Sequence, residues 1–279
     1  MKQVISASRR TDIPAYCLKW FMEQIREGFA DVHNPFYRGQ VRRVSLLPDD
    51  VEWIVFWSRN YRVFLKHYAF FTPYNLFFHF TILPKSALEK SGLSIPEALY
   101  QMERLAALYG PERIIWRYDP LVYWEDKSGR HTNYNPEEFE SLCREVAHLG
   151  VQRCYFSFAH PYGKLEARFR NRFTNGRLLQ KSIEEQKTIT ARLNAIAAAY
   201  NITLFSCCND ALLAVPGVAK GRCIDGDLLN SLASSGPVSR AKTPTRQDCG
   251  CSKSVDIGDY VAQPCPTGCL YCYANPVWR

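Results

Sequence analysis

Several common active-site motifs are missing from this chain. The sequence of 279 residues contains no G-x-G-x-x-G, no phosphate-binding loop and no G-x-S-x-G. None of its six histidines forms an i,i+4 pair on a predicted helix. These gaps argue against a glycine-rich nucleotide-binding loop, an esterase-type serine nucleophile and a metal site built on histidine.

Long apolar segments are also missing. No run is long enough to span a membrane, and residues 1–10 lack the apolar stretch of a signal peptide. We therefore expect a cytoplasmic protein with no membrane partner. In that reducing compartment, eleven cysteines indicate metal binding more than disulfides.

Dense runs of basic residues are absent, although the net charge is +8. The pairs Arg9-Arg10 and Arg42-Arg43 are isolated. The charge favours a mildly basic surface and leaves open a salt-dependent contact with nucleic acid.

What is present is a repeated strand followed by a helix. The pattern predicts strands over 4–8, 53–57, 76–82, 114–118, 154–158 and 202–206. These strands are apolar on both faces, which is typical of a parallel sheet covered by helices. Right-handed crossovers would curl it into an open six-stranded (β/α) barrel or a doubly wound sheet. Helices are predicted near 14–27, 61–68, 94–110, 135–150 and 179–200.

The pattern stops after about residue 208, where Gly, Pro, Ser and Cys become frequent. We therefore divide the chain into a barrel core over 1–208 and a cysteine-rich tail over 209–279. The tail is expected to pack on the core and to have little regular structure of its own.

Polar residues follow the predicted strand ends, where parallel α/β proteins place their sites. Asp12 stands where a helix cap belongs. Arg59, Asn60 and Arg117 fit either loop contacts or a ligand site, in which arginine would hold a carboxylate or a phosphate. The clusters are 8–12, 58–60, 117–119 and His160.

The strongest signal is Cys265-Pro-Thr-Gly-Cys269-Leu-Tyr-Cys272. Three thiolates at this C-x3-C-x2-C spacing can hold three irons of a [4Fe–4S] cluster and leave the fourth iron open to a small molecule. Zinc fits less well, since zinc sites usually combine C-x2-C pairs into four ligands.

A second metal site is indicated by Cys249-Gly-Cys251. Its two thiolates need partners, which Cys223 and one of the pair Cys207-Cys208 can supply. We favour Cys208 and an auxiliary [4Fe–4S] cluster, with Cys207 and zinc as the alternatives. The other cysteines are expected to be small buried hydrophobic residues, namely Cys17, Cys143 and Cys154.

The segment 265–274 resembles the cluster loop of radical S-adenosylmethionine (SAM) enzymes, closest to the branch similar to spore photoproduct lyase. The whole chain resembles a bacterial family catalogued as domain of unknown function 1848. The recurring features of that family stand here at 6–14, 34–36, 55–60, 117–120, 223–225, 249–251 and 256–258.

The resemblance implies a radical SAM enzyme, in which a reduced cluster cleaves SAM to a 5′-deoxyadenosyl radical that attacks an unknown substrate. It implies SAM as a ligand and a reductant such as flavodoxin or ferredoxin. From their positions we expect five residues to contact the cofactor: Arg9, Ser58, Asn60, Arg117 and Tyr271. Radical SAM enzymes normally carry the cluster loop after the first strand, so we expect this tail to fold back over the barrel mouth. The alternative is a zinc- or iron–sulfur-stabilised protein that binds a partner such as nucleic acid or carries electrons.

Overall fold

The computed structural model describes residues 2–90, 92–173, 176–233, 236–243 and 248–277. Its strands are β1 (Gln3–Ala7), β2 (Phe29–His33), β3 (Val41–Ser45), β4 (Val51–Ser58), β5 (Asn75–Thr81), β6 (Ile114–Leu121), β7 (Tyr123–Asp126), β8 (Gly129–Thr132), β9 (Arg153–Phe158), β10 (Arg177–Leu179), β11 (Thr203–Cys207), β12 (Ala219–Gly221) and β13 (Val255–Asp256). Its α-helices are α1 (Leu18–Glu27), α2 (Arg62–Lys66), α3 (Ile95–Tyr109), α4 (Pro136–His148), α5 (Gly163–Arg172), α6 (Ile183–Ala199) and α7 (Gly226–Leu232).

The centre of the molecule is an eight-stranded sheet in the order β13-β1-β4-β5-β6-β9-β11-β12, with every neighbouring pair parallel. The six predicted strands are all present, as β1, β4, β5, β6, β9 and β11, and they are neighbours in chain order. The prediction of a mixed α/β protein built on a parallel sheet is therefore confirmed.

Helix boundaries follow the capping residues. Ser94 and Glu97 form a reciprocal capping box at the start of α3, as the sequence predicts. The long helix was predicted too early: α6 begins only after Ser182, whose hydroxyl accepts from the backbone N–H of Glu185. Leu179 lies instead in β10, which pairs with β7.

Alternation along the strands sends side chains to two faces of the sheet. One face packs under the helices and forms the larger core, in which Trp116 of β6 stacks on Phe139 of α4. The opposite face encloses a smaller core that is filled partly by the tail. Its strand residues are Val4, Trp53, Val55, Phe77, Ile115 and Tyr155, and its tail residues are Ile224, Leu229, Val238 and Cys251.

The tail has more regular structure than the sequence indicates, because it supplies both edge strands, β12 and β13, and helix α7. No pairing between these two edges is seen in the described ranges, so the sheet is not shown to close as a barrel. The tail bridges them instead: the backbone N–H of Ser252 donates to the carbonyl of Ile224 at 2.8 Å.

Two small antiparallel sheets complete the fold. One is the hairpin β2–β3, and the other has the order β10-β7-β8. Across the part of the chain that the structure describes, no helix is long and apolar enough to cross a membrane.

Candidate metal centre

A cavity of about 1240 Å³ opens at the carboxyl ends of the parallel strands. Residues at or just past the ends of five strands line it, namely Ser8, Ser58, Pro120, Ser157 and Cys207. Eight cysteines share its wall: Cys207, Cys208, Cys223, Cys249, Cys251, Cys265, Cys269 and Cys272. The fold thus brings all seven predicted metal ligands, and Cys207, to the mouth of one cavity.

The loop 265–272 is bonded to the segment that follows β5. The N–H of Leu270 donates to the carbonyl of Leu88 at 2.8 Å, and Glu89 forms a β-bridge with Cys269. At the other end of the loop, the N–H of Val277 donates to the carbonyl of Cys265 at 2.8 Å. Backbone hydrogen bonds therefore hold a cysteine loop that has no strand or helix of its own.

A buried three-residue network fixes the loop to the end of β4. Arg59 donates to the carboxylate of Glu89 at 2.6 Å and also to the hydroxyl of Tyr271. That hydroxyl donates to Glu89 at 2.5 Å. Although burial alone would lower it, the pKa of Arg59 is raised by the neighbouring Tyr271 and Glu89, so the guanidinium stays charged.

Arg168 of α5 supports the loop from the other side. Its guanidinium donates to the carbonyl of Cys272, to that of Ala274 at 2.6 Å and to that of Leu270 at 3.5 Å. The N–H of Ala274 points back to the thiol of Cys272, 3.3 Å away. Arg168 thus binds the backbone carbonyls of Cys272 and of residues on both sides of it.

Of the thiols in this loop, Cys269 is buried and the other two are half-buried. Burial raises the pKa of Cys265 to about 11 and that of Cys269 to about 12, and it also raises the pKa of Cys272. Arg59 near Cys269 and Arg168 near Cys272 oppose this rise. A metal bound here would displace these thiol protons.

The other five cysteines form a continuous chain of contacts. The sulfur of Cys207 lies 3.5 Å from that of Cys223 and 4.0 Å from that of Cys208. Cys251 hydrogen-bonds to both Cys223 and Cys249. Hydrogen bonds from Cys207 and Cys251 hold the pKa of Cys223 well below its usual value, while those of the two donors are raised.

Cys208 has a backbone conformation that explains how adjacent cysteines reach the same cavity. Consecutive strand residues point to opposite faces, so Cys207 and Cys208 would normally diverge. Cys208 instead has φ of 55°, in the left-handed region that residues with a Cβ rarely occupy. Both residues consequently line the cavity.

A polar layer lies beneath the five cysteines. Arg117 donates to the sulfur of Cys223 at 3.2 Å and forms an ion pair with Asp119. The ring of His79 stacks on Trp57 with centroids 4.8 Å apart, and its Nε2 contacts the carbonyl of Cys223 at 2.7 Å. Burial and the charge of Arg117 lower the pKa of His79 to about 3, so the imidazole is neutral near pH 7.

The donor set suits soft metals, since thiolates select zinc, copper(I) and iron–sulfur clusters. Nevertheless, among the described residues no three or more His, Cys, Asp or Glu side chains are arranged to hold a metal ion. A single metal ion requires its ligand atoms to converge on one point. In a [4Fe–4S] cluster each thiolate binds a different iron, and the chemistry of the thiols fits that group.

The predicted cofactor contacts occupy different places. Arg9 pairs with Asp256 at 2.9 Å and lines the cavity, as does Ser58, whose hydroxyl donates to Asp12 at 2.7 Å. Asn60 is not part of the lining; its side-chain oxygen accepts from the backbone N–H of Arg62. The remaining two, Arg117 and Tyr271, contact Cys223 and the Arg59–Glu89 pair respectively.

The residues interpreted as structural are also in place. Asp12 accepts from the N–H of Ala15 and so caps the first helical turn, although it reaches the cavity as well. Cys143 and Cys154 are buried in the core under the helices, whereas Cys17 is half-buried at its margin.

Glu89 and Arg168 were missed by sequence reasoning. Neither stands in a motif, and each contacts the loop across more than 100 positions of chain, as in the pairs of Glu89 with Tyr271 and Arg168 with Cys272. A conserved charge at either position in related sequences would have been the signal.

The molecule is thus a parallel α/β protein with a cysteine-lined cavity at the strand ends. The family model described as "Domain of unknown function (DUF1848)" matches residues 4–274, so the chain belongs to that family. No functionally curated protein matches it.

Solved structures with some similarity are a D-hydantoinase from a Bacillus sp. AR9 and a dihydropyrimidinase from Brevibacillus agri NCHU1002. The identities are 10% and 12%, and the TM-score is 0.31 in both cases. The matches cover 59% and 61% of this chain but only 36% and 38% of those chains. At this level of similarity they carry no argument about function.

Proposed function

We propose that this protein is a radical SAM enzyme whose [4Fe–4S] cluster is held by Cys265, Cys269 and Cys272. The observation that carries the proposal is the position of these thiols on the wall of a large cavity at the carboxyl ends of parallel strands. Ligands of parallel α/β proteins bind at that edge. When bound, the cluster would supply the electron that cleaves SAM to a 5′-deoxyadenosyl radical.

The chain's own residues would perform three tasks. Arg59, Glu89 and Tyr271 fix the cysteine loop against β4. Arg168 holds its carbonyls from the opposite side. The surrounding walls exclude water from the reacting hydrogen, which a radical reaction requires.

Four of the five residues expected to contact SAM line the cavity, namely Arg9, Ser58, Arg117 and Tyr271. Arg9 and Ser58 line the cavity, and the hydroxyl of Tyr273, next to the last cysteine, donates to the carbonyl of Arg9 at 2.6 Å. We keep these two as the cofactor contacts. Tyr271 is assigned to loop support, and Arg117 to the second group of cysteines.

That second group would hold an auxiliary [4Fe–4S] cluster, with Cys207 or Cys208, Cys223, Cys249 and Cys251 as ligands. One distance favours zinc as the other candidate, although no three of the described side chains are arranged around a single ion. Two thiolates of a tetrahedral zinc site lie about 3.8 Å apart, given Zn–S distances of about 2.3 Å. The sulfurs of Cys207 and Cys223 are 3.5 Å apart, which is close to that value. In the zinc version the group is structural and the protein binds a partner. Iron without SAM cleavage would instead favour an electron carrier.

The first experiment is anaerobic purification and reconstitution, followed by iron and sulfide analysis and incubation with dithionite and SAM. About eight irons per chain, with release of 5′-deoxyadenosine, are expected for two clusters. A Cys143→Ala protein, which alters a thiol outside the cavity, should behave like the parent. Zinc in place of iron with SAM left intact would overturn the proposal and favour the structural alternative.

A further inference from the structure

The hairpin β2–β3 forms part of the cavity mouth and presents two chemically different faces. Val32 and Arg42 are paired across the strands, and both line the cavity together with Val44. On the opposite face, Asp31 pairs with Arg43 through two hydrogen bonds of 2.8 and 2.9 Å. Arg42 therefore faces the cavity, while the charge of Arg43 is neutralised by Asp31 on the outer surface.

The tip of this hairpin is held in a defined conformation. The side chain of Asn34 accepts from the N–H of Phe36 at 2.9 Å and donates to Gln40 at 2.7 Å. Backbone bonds join Asn34 to Gln40 and Gln40 to Tyr37. The turn can therefore display its side chains without first becoming ordered, which lowers the entropic cost of binding.

Phe36 is displayed at the cavity rather than packed in the core. It is 97% exposed and still lines the cavity mouth. Its neighbour Tyr37 is 71% exposed but is not part of the lining, and its ring lies beside Gly39. A single exposed ring is common on protein surfaces, but a ring held at the rim of a cavity offers a stacking surface for a planar ligand.

Positive charge accompanies this ring. Within the described ranges, neither Arg10 nor Arg42 forms an ion pair, and both line the cavity. Arg10 donates to the carbonyls of His33 and Gly258, which orient its guanidinium but do not cancel its charge. The rim thus combines an aromatic face with two cations that have no carboxylate partner in the part of the chain that the structure describes.

We infer that the hairpin rim binds a nucleotide unit, with the base stacked on Phe36 and the phosphate held by Arg10 and Arg42. Aromatic side chains stack on any base, and guanidinium groups pair with phosphate. Drug-sized ligands fill pockets of about 300–1000 Å³. The cavity of about 1240 Å³ therefore has room beyond one cofactor. The identification of this nucleotide as the substrate rests on the proposed function, but its binding does not.

The test is fluorescence anisotropy of the anaerobically purified protein with a short fluorescein-labelled oligothymidylate, in the absence of SAM. Phe36→Ala should weaken binding about tenfold, whereas Tyr37→Ala should leave it unchanged. Arg42→Ser should reduce the slope of log affinity against log salt by about 0.7, and Arg43→Ser should not. Both arginine variants lose the same charge, so a difference between them reports position rather than net charge.

A competition experiment distinguishes a free nucleotide from a nucleic-acid strand as the ligand of this site. Displacement by AMP as readily as by unlabelled oligonucleotide would identify a free nucleotide, and displacement by the oligonucleotide alone would identify a strand. Either result supports the site. Absence of binding, equal losses in the two members of either matched pair, or displacement by a polyglutamate peptide would overturn it. Because SAM cleavage is not part of the assay, failure here is distinct from failure of the proposed function.

Discussion

The two groups of cysteines line one cavity but are assembled in opposite ways. The three thiols of 265–272 come from one short loop, and other parts of the chain hold that loop by its backbone. The five remaining thiols come from separate segments and contact one another directly. The first group is specified locally and supported from outside, whereas the second exists only when the two edges of the sheet have been brought together.

This difference predicts separate metal losses. Cys269→Ala should remove about four irons and abolish SAM cleavage, because it deletes a ligand of the open cluster. Cys251→Ala should remove the other four and leave some cleavage. Iron analysis and 5′-deoxyadenosine assays of reconstituted proteins check both, with Cys154→Ala as the buried control. Unchanged iron in Cys251→Ala would show that the second cluster is wrong.

The second prediction concerns which of the adjacent cysteines is the ligand. Sequence reasoning favoured Cys208, but it is Cys207 whose sulfur contacts Cys223. We expect Cys207→Ala to weaken metal binding at this group by more than about 100-fold, beyond the range for groups that only support a ligand. Cys208→Ala should have the smaller effect. Chelator competition on both variants measures the affinity.

Cys208→Gly sharpens this test. Glycine adopts positive φ without the cost of about 1 kcal/mol that a Cβ imposes. If Cys208 is not a ligand, this variant should unfold at a higher denaturant concentration than Cys208→Ala. Greater metal loss in the Cys208 variants than in Cys207→Ala would instead restore the assignment made from the sequence.

The six central strands could be located from the sequence because each is an apolar segment between helical segments with clear caps. The edge strands could not, since β12 and β13 have only three and two residues and no periodicity. The loop cysteines could be recognised because their spacing is local. The choice between Cys207 and Cys208 depends on one left-handed residue, which strand alternation does not anticipate.

The contact partners of the predicted polar residues also could not be predicted from the sequence. Arg117 was expected in a polar cluster at a strand end, but it lies within β6 and contacts Cys223. Tyr271 was expected to contact the cofactor, and the sequence did not indicate that its hydroxyl contacts Arg59 and Glu89. Such pairings are set by how distant segments meet, and local pattern carries no information about them.

The third prediction tests the external support of the loop. Arg168→Met removes a cation that donates to three carbonyls of the loop and should lower the free energy of unfolding by about 3 kcal/mol, the upper value for a hydrogen bond to a charged group. Arg170→Met, an exposed change in the same helix, should have little effect. Urea unfolding measures both. Equal stabilities would mean that the loop is held without Arg168.

The smallest expected effect is on the pH dependence of the free energy of unfolding. It comes from Asp12, which lies beside the three-cysteine loop and accepts a hydrogen bond from Ser58. Burial raises the pKa of Asp12 to about 6, so the folded protein keeps this proton at pH values where the unfolded chain has lost it. The contribution to stability is therefore greatest below about pH 4 and should fall by about 2 kcal/mol as pH rises to 6.

Asp12→Asn should remove that fall. Urea unfolding at several pH values would show this as a difference in the free energy of unfolding between variant and parent that changes with pH. Asp31→Asn is the matched control. The hydrogen bonds from Arg43 lower the pKa of Asp31, so its ionisation in the folded state is complete at lower pH. The difference in the free energy of unfolding between Asp31→Asn and the parent should be nearly constant between pH 4 and 6. A flat difference for Asp12 as well would mean that its carboxyl is ionised in the folded protein, and that a buried negative charge lies beside the three-cysteine loop.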